Sequence, residues 1–397
     1  MKKKITLATA VVLMLFAAIL TFQVTFHLVS GQYQSKVDAL VKTQSDFSKL
    51  AQADALIRQY FSGDLDDEAV ENGLIRGYLE SLDDKYSYYM TSDEYRRYQK
   101  SQNQSVAGIG VRLTYDTAKN EIVVYSVVKG SPADEAGIRK GDVIYRIGEV
   151  FAADLGFYET VEFLSGDEGT TVDLVVQREV ATRVLEMNLS LTRRTVTVPE
   201  VTYEMLEQGV GYIAIHSFRG AAFDEFSAAL NAMVLSDATG IIFDVRNNTG
   251  GDFDTVIRFL DRLLPQCVSA RTFDKNGNET KIWSDSDCVH FEYAVLVNGN
   301  TASEAELFAA SLRDNDLAML VGDSTYGKGV TQSIIQMDDG SALFLSTSSF
   351  SPPVSDSFDG VGLVPDIEVP LGADNLYLLS HEEDKQLQEI IPFLCEN

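Results

Sequence analysis

The chain has 397 residues, 45% hydrophobic and 23% charged, enough for two to three domains with real cores, so disordered, collagen-like and low-complexity classes are excluded. Lys and Arg number 32 against 59 Asp and Glu, a net charge of −27 that repels phosphate backbones and argues against nucleic acid as a partner. The 4 histidines and 3 cysteines show neither C-x-x-C nor H-E-x-x-H spacing, so no structural zinc or zincin site is expected.

Lys2, Lys3 and Lys4 precede an uncharged run from Ile5 to Phe26, which at about 1.5 Å per residue reaches the roughly 30 Å of a bilayer core. Residues 1–30 therefore read as a cytoplasmic lysine cluster and a transmembrane signal anchor, with everything from about Gly31 outside the cytoplasm. A cleaved signal is the alternative, and its best site, Val29-Ser30-Gly31, is poor. The expected location is the cell membrane, single-pass, where disulfides are permitted. Cys267 and Cys288 flank a hairpin, RTFDKNGNETKIW, turning at Asn276-Gly277; antiparallel pairing could bring them face to face, the alternative being two unrelated buried thiols. Cys395 is left without a partner.

Residues 31–102 read as helical in DFSKLAQADALIRQYF and DDEAVENGLIRGYLESL, with Asp66 or Asp67 placed to cap the second. Tyr86, Tyr88, Tyr89, Tyr95 and Tyr98 follow as an amphipathic packing surface. Residues 103–182 change to short strands, GVRLTY, EIVVYSVV, DVIYRIG and TVDLVVQR, around one short helix in SPADEAGI, with Ser131 as cap, Pro132 at its first position and Gly137 as stop. Over 183–370 strands alternate with helices: GYIAIHSF, GIIFDVRNN, FEYAVLVN and LAMLVG are strands, and the segments between them are helical. That alternation predicts βαβ units, a parallel-rich sheet and ligands at the carboxyl ends of its strands. A helical segment closes the chain over 371–397.

Gly108-Ile109-Gly110-Val111 before a strand offers successive backbone N–H groups to an anion such as a peptide's terminal carboxylate, while the tail adds to a sheet edge. With G-S-P-A-x-x-A-G-I-x-x-G-D-x-I downstream, the pattern resembles a PDZ domain. A dinucleotide fold would need a third glycine and a following helix, and neither is present.

Gly322 to Gly329 satisfies G-x-x-x-x-G-K, but Gly329 stands where a phosphate loop needs Ser or Thr, and VTQSIIQM continues as a strand rather than a helix. Lys328 then lacks an explanation as a phosphate ligand. Upstream, Thr301 with Glu304 forms T-x-x-E, a capping box, which places Ser303 in the first helical turn, where N–H groups favour negative charge on an oxygen. Simple helix capping is the other reading of these residues. No histidine lies near enough in the sequence pattern to be assigned as base; His216, at the end of GYIAIHSF, is the best remaining candidate, and a lone histidine at a strand end is more often structural. A lysine can serve instead if burial lowers its pKa from about 10.4 toward 7 to 8, and Ser-Lys is a recognised nucleophile–base pair.

N-G-N-T-A-S-E-A-E followed by Y-G-K-G-V-T-Q resembles the carboxy-terminal processing peptidases, or tail-specific proteases, serine endopeptidases with a PDZ domain. The resemblance extends to SLDDKYSYY, Gly166-Asp167-Glu168-Gly169-Thr170, GYIAIHSF, the run from Asp244 to Gly251, and GVGLVPDIEV at 360–369. It implies Ser303 as nucleophile, Lys328 as general base, Gln332 as orienter of the amine, and an oxyanion hole from Gly250 or Gly251 and the N–H of Glu304. It implies an α/β protease core with a β-rich PDZ domain before it, no metal or organic cofactor, protein or peptide substrates with accessible C-terminal tails, and a homodimer through terminal helical segments. Three residues depart from the family pattern: Thr249 for a common Pro, Glu304-Ala305 for a small-residue pair, and Ser165 for a frequent Arg. A catalytically silent PDZ scaffold and a small-amide or ester hydrolase are the rival readings. Retention of Ser303, Lys328 and Gln332 counts against the first, and the PDZ segment is left without a task in the second.

Overall fold

The computed structural model describes Leu20, Thr21, Gln23, Thr25 and residues 47–101, 105–181, 183–373 and 375–395. Nearly all of the expected membrane span, and residues 31–46 of the expected helical region, lie outside these. Among the described residues no helix is long and apolar enough to cross a membrane. The chain divides into two compact units between Ile75 and Arg76.

In the first unit the helix Ser48–Tyr60 buries no residue, and its Arg58 pairs with Asp54 and Asp67 on an exposed face. Asp66, rather than Asp67, caps the next helix, its carboxylate accepting the N–H of Glu68 at 3.0 Å and of Ala69 at 3.2 Å.

The second unit opens on the strand β1 (Tyr88–Met90), which interrupts the helical reading of the tyrosine stretch, and the helix Ser92–Ser101. The PDZ-like module follows with β2 (Ser105–Gly108), β3 (Val111–Asp116), β4 (Glu121–Val127), β5 (Val143–Ile147), β6 (Val150–Phe151), β7 (Thr171–Val180), β8 (Arg183–Thr192) and β9 (Arg194–Thr197). Strands β3, β4, β5, β7 and β8 form one antiparallel sheet, with β6 on β5. The β2–β9 ladder closes the module where the chain enters and leaves. Alternation along β7 sends Val172, Leu174 and Val176 into a core with Ile109, Ile122 and Val124. Ser131 caps the short helix Pro132–Glu135 through the Asp134 N–H at 3.3 Å.

The protease-like core is built on β10 (Val201–Met205), β11 (Gly211–Ile215), β12 (Ile241–Asp244), β13 (Val268–Phe273), β14 (Glu279–Trp283), β15 (Tyr293–Val297), β16 (Ala318–Gly322), β17 (Val330–Gln336), β18 (Ala342–Ser351) and β19 (Ile367–Glu368). The main sheet runs β10-β11-β12-β15-β16-β19, parallel except for β10 at its edge. Helices Ala222–Leu235, Phe253–Leu263 and Glu304–Asp314 cover one face through Phe226, Phe259 and Phe308. Leu387, Ile390 and Leu394 of the helix Lys385–Cys395 cover the other, against Ile242 and Leu296. Burial on both faces is why these strands read as unbroken apolar runs rather than alternating ones.

A second sheet centres on β18, paired with β17 along one edge and with β1 and β13 along the other. Its β13–β14 hairpin has a register that places Ser284 next to Cys267, with the Ser284 N–H on the Cys267 carbonyl at 3.0 Å. Cys288 lies beyond that position, and both cysteines are free thiols. Of the two readings, a disulfide or two separate thiols, this structure shows the second: the turn falls about Asp274–Asn278, and a bulge between Val268 and Ala270 shifts the pairing further.

Candidate active site

Three loops leave the carboxyl ends of β12, β15 and β16 and converge as the parallel topology predicts. The β12 loop is pinned from below by a buried network. Arg246 bonds Asp244 at 2.5 Å, Asp384 at 2.7 Å and Gln386 at 2.8 Å, and the Tyr212 hydroxyl donates to Asp244 at 2.6 Å. Burial pushes the Asp244 carboxyl up, but the Arg246 guanidinium overrides it and holds the group below the usual carboxylate range.

Further along this loop the Asn248 amide donates to the Ile215 carbonyl at 2.9 Å, and its oxygen accepts the Gly250 N–H at 2.8 Å. The two glycines are required by close approach. A Cβ on Gly250 (φ 106°) would lie 3.0 Å from the Ser303 Cβ, and one on Gly251 would lie 2.6 Å from the Phe218 carbonyl. The two glycine N–H groups named with that of Glu304 for the oxyanion hole both have partners: Gly250 gives its proton to Asn248, and Gly251 donates to the Glu304 carboxylate at 2.9 Å. Gly250 serves by lacking a side chain rather than by donating.

Ser303 follows the β15 loop and is 3% exposed. It adopts φ 60° and ψ −122°, a strained conformation for a residue with a Cβ, as N-cap of the helix Glu304–Asp314. The capping box is displaced two residues from the one read in the sequence. Thr301 instead donates to the Val245 carbonyl at 2.9 Å and accepts the Asn298 N–H at 3.0 Å, while the Ser303 N–H bonds the Glu306 carboxylate at 2.9 Å. T-A-S-E-A-E contains both an eligible Thr-x-x-Glu and an eligible Ser-x-x-Glu, and the helix starts from the second.

Glu306, absent from the sequence reading, joins the nucleophile loop to the lysine loop. One oxygen accepts the N–H of Ser303 and, at 2.8 Å, of Lys328; the other accepts the N–H of Gly327 at 2.7 Å and the Thr325 hydroxyl at 2.5 Å. Burial pushes its carboxyl above the ordinary value, and these donors only partly offset that.

Lys328 sits between β16 and β17, not at a helix start, as the rejected phosphate-loop reading requires. Its flanking glycines are packing positions: a Cβ on Gly327 (φ 85°) would meet the Gly362 nitrogen at 2.6 Å, and one on Gly329 the Asp359 Cβ at 2.8 Å. The half-buried amine donates to Gln332 Oε1 at 2.5 Å. Burial pushes its pKa below that of an ordinary lysine; the Glu304 charge pulls it back up, Arg219 lowers it further and Asp84 raises it. Ser303, Lys328 and Gln332 line one cleft of about 860 Å³, together with Gly251, Glu304 and Arg219.

Tyr86, read in the sequence as part of a packing surface, reaches the site instead. Tyr88 and Tyr98 do pack, stacking on or meeting the Phe344 ring edge-on at 4.5 and 5.1 Å. Tyr86 instead accepts the Gln332 amide N–H on its main-chain carbonyl at 2.6 Å. His216 lies outside this cleft, and burial pushes its imidazole down to about 4, so it is neutral and remote from the serine's lining.

In the PDZ-like module, Gly110 (φ 81°) abuts Ser131, whose Cβ would lie 2.3 Å from one added at 110. The Ile109 carbonyl accepts the Ala133 N–H at 2.9 Å, and the Ile109 side chain is buried in the module's core. Gly108 ends β2 and Val111 begins β3, which among the described residues pairs with β4 alone. β3 is thus an edge strand of the module's sheet.

Residues 209–369 match the model of peptidase family S41, residues 107–189 that of the PDZ domain, and residues 13–94 that of the activating protease CtpB N-terminal domain. The chain is 30% identical over 329 residues to the carboxy-terminal processing protease CtpA of Bacillus subtilis, covering 82% of this chain and 70% of that one. It is 29% identical over 336 residues to a carboxyl-terminal-processing protease of Picosynechococcus, covering 83% and 80%. In fold it is similar to a putative S41 protease from Bacteroides fragilis, with a TM-score of 0.61 and 18% identity over 86% of this chain and 96% of that one. It is also similar to a photosystem II D1 C-terminal processing protease, with a TM-score of 0.51 and 24% identity over 85% and 90%.

Proposed function

Because this chain belongs to peptidase family S41 and is a serine-type peptidase of the carboxy-terminal processing kind, we propose that it captures protein C-terminal tails in its PDZ groove and cleaves by a Ser303–Lys328–Gln332 mechanism. The observation that carries the mechanism is the half-buried Lys328 amine bonded to Gln332 in the cleft it shares with a strained serine. Ser303 Oγ attacks the scissile carbonyl, the neutral amine takes its proton, and that proton passes to the leaving amine. Water then releases the acyl-enzyme by the same base. The Glu304 N–H, at the first helical position, has no intrahelical acceptor and faces the developing oxyanion together with Gly251 once that donor is released.

The Lys2–Lys4 cluster and the apolar run behind it support a membrane anchor with the catalytic unit outside the cytoplasm. A silent scaffold would have no use for a desolvated lysine held by a glutamine, so the enzyme reading is favoured.

Only the neutral lysine is a base, so turnover should rise with pH through a midpoint below the ordinary lysine value of about 10.4. A kcat/KM profile between pH 5 and 10 reads it directly, and a midpoint at or above the free-lysine value would contradict burial as the activating device.

The reading as a whole is tested by a fluorophosphonate probe and by unfolded protein pairs differing only in a free or amidated C-terminus. Labelling mapped to Ser303, with faster cleavage of the free-carboxylate member, is expected. Tail binding without labelling or cleavage would identify a scaffold, and equal cleavage of both members would remove the PDZ groove from substrate selection.

A further inference from the structure

A neutral lysine has one lone pair, and as a base it must keep that lone pair for the serine proton. The amide of Gln332 can meet it in two ways. Presented by its oxygen, it accepts an amine N–H and leaves the lone pair free; presented by its NH₂, it donates to the lone pair and disables the base. Something must set the polarity of that amide.

The main-chain carbonyl of Tyr86 accepts Gln332 Nε2 at 2.6 Å. A carbonyl is an acceptor only, so it draws the NH₂ end to itself and leaves Oε1 for Lys328 Nζ, at 2.5 Å. The same residue is fixed on two further sides. Its hydroxyl donates to the Gly327 carbonyl at 2.9 Å, immediately before the lysine, and its ring lies 5.2 Å from the lysine amine. The turn presenting it is held by Asp84, which accepts the Tyr86 N–H at 3.0 Å and the Ser87 hydroxyl at 2.6 Å. After this turn the chain continues as β1 on the edge of β18, the strand that also pairs with the strand carrying Gln332.

We propose that Tyr86 is a positioning residue for catalysis: its carbonyl sets the polarity of the Gln332 amide, and its side chain ties that carbonyl to the lysine loop. The proposal rests on Lys328 being the base. It also makes a segment preceding the PDZ-like module part of the active-site scaffold, so that docking of β1 is a condition for a working lysine.

The test uses the full chain in detergent, with steady-state cleavage of an unfolded protein by wild type, Tyr86→Phe, Tyr86→Ala, Asp84→Ala, Gln332→Ala and the Tyr86→Ala/Gln332→Ala double variant. Loss of the side chain should lower kcat by about 10- to 100-fold with KM within about threefold, as expected for an interaction used only in the transition state. Tyr86→Phe, which keeps the ring and carbonyl but loses the hydroxyl's bond to the Gly327 carbonyl, should show a loss between wild type and Tyr86→Ala. Asp84→Ala frees the turn by removing the acceptor of the Tyr86 N–H and also removes a charge that raises the Lys328 pKa, so it should reproduce the loss in kcat at a pH above the profile's midpoint, where the amine is neutral in both proteins, and measured there it decides the matter if Tyr86→Ala does not fold. The double variant should be no worse than Gln332→Ala alone, because both act through one amine. A rise in KM at constant kcat, or losses that multiply in the double variant, would overturn the proposal. Full turnover by Lys328→Ala would instead overturn the base assignment on which it rests.

Discussion

Lys328→Ala and Ser303→Ala are each expected to lower kcat by about 10⁴- to 10⁶-fold, and the double variant to fall no further, because nucleophile and base act as one unit. The lysine amine donates to Gln332, so alanine removes the proton acceptor without opening the Glu306 contacts, which are made to the main-chain N–H groups of 327 and 328. The loop should therefore keep its path. Removing a half-buried cation also relieves its desolvation, so the melting temperature should hold while turnover is lost. Steady-state cleavage and fluorophosphonate labelling measure the two functions separately: Ser303→Ala should not label, and Lys328→Ala should label slowly because the serine keeps its position and loses its base. A Lys328→Ala variant within about tenfold of wild type would show that the serine proton leaves by another route.

Much of this site was legible because the chemistry is carried by short runs whose oddity is local. A lysine between two glycines is unusual in an otherwise apolar setting, and the structure supplies the reason: the 360–362 segment packs against the lysine loop and leaves no room for a Cβ at 327. The alternation of strands and helices from Gly211 onward gave the parallel sheet, and the unbroken apolar runs gave strands covered on both faces. What escaped the sequence was non-local. Gln332 and Tyr86 meet through β1, β17 and β18, strands whose pairing spans most of the second unit, and no periodicity encodes which carbonyl a glutamine will find. The two overlapping capping boxes were ambiguous for a different reason. Local pattern permits either start, and contacts from Glu306 to the distant residues Gly327 and Lys328 accompany the second. The two cysteines do not meet because the hairpin pairs about Asn276, between Phe273 and Glu279, rather than about the midpoint of the cysteines, and the bulge between Val268 and Ala270 adds one more residue of offset; spacing about a turn reveals neither.

Glu304→Ala is expected to accelerate the enzyme. Glu304, next to the nucleophile, is buried, and its carboxylate accepts the Gly251 N–H at 2.9 Å, a charge-assisted bond of the kind an oxyanion would make at the same donor. Under the proposed mechanism, that carboxylate has to be displaced before Gly251 can serve the substrate. Losing one oxyanion donor costs about 10²- to 10³-fold in other serine peptidases, which bounds the gain from restoring one; an increase in kcat of about 10- to 100-fold is the expected range. A second effect has the same sign. The Glu304 charge raises the Lys328 pKa against the lowering by burial, so its removal leaves more of the amine neutral near pH 7 and moves the midpoint of the pH profile down. Glu304→Gln removes the charge but keeps an acceptor oxygen, and should fall between wild type and alanine in rate while matching alanine in midpoint. The cost to the fold is about 1 to 3 kcal/mol, the penalty for leaving the part-buried Gly251 donor without its carboxylate acceptor. Fluorophosphonate labelling of Ser303 should quicken in parallel with peptide cleavage, since both reactions place a negative oxygen in the hole. Slower labelling and slower cleavage in Glu304→Ala would show instead that the carboxylate holds the glycine loop in its working position, and that the oxyanion is received by other donors.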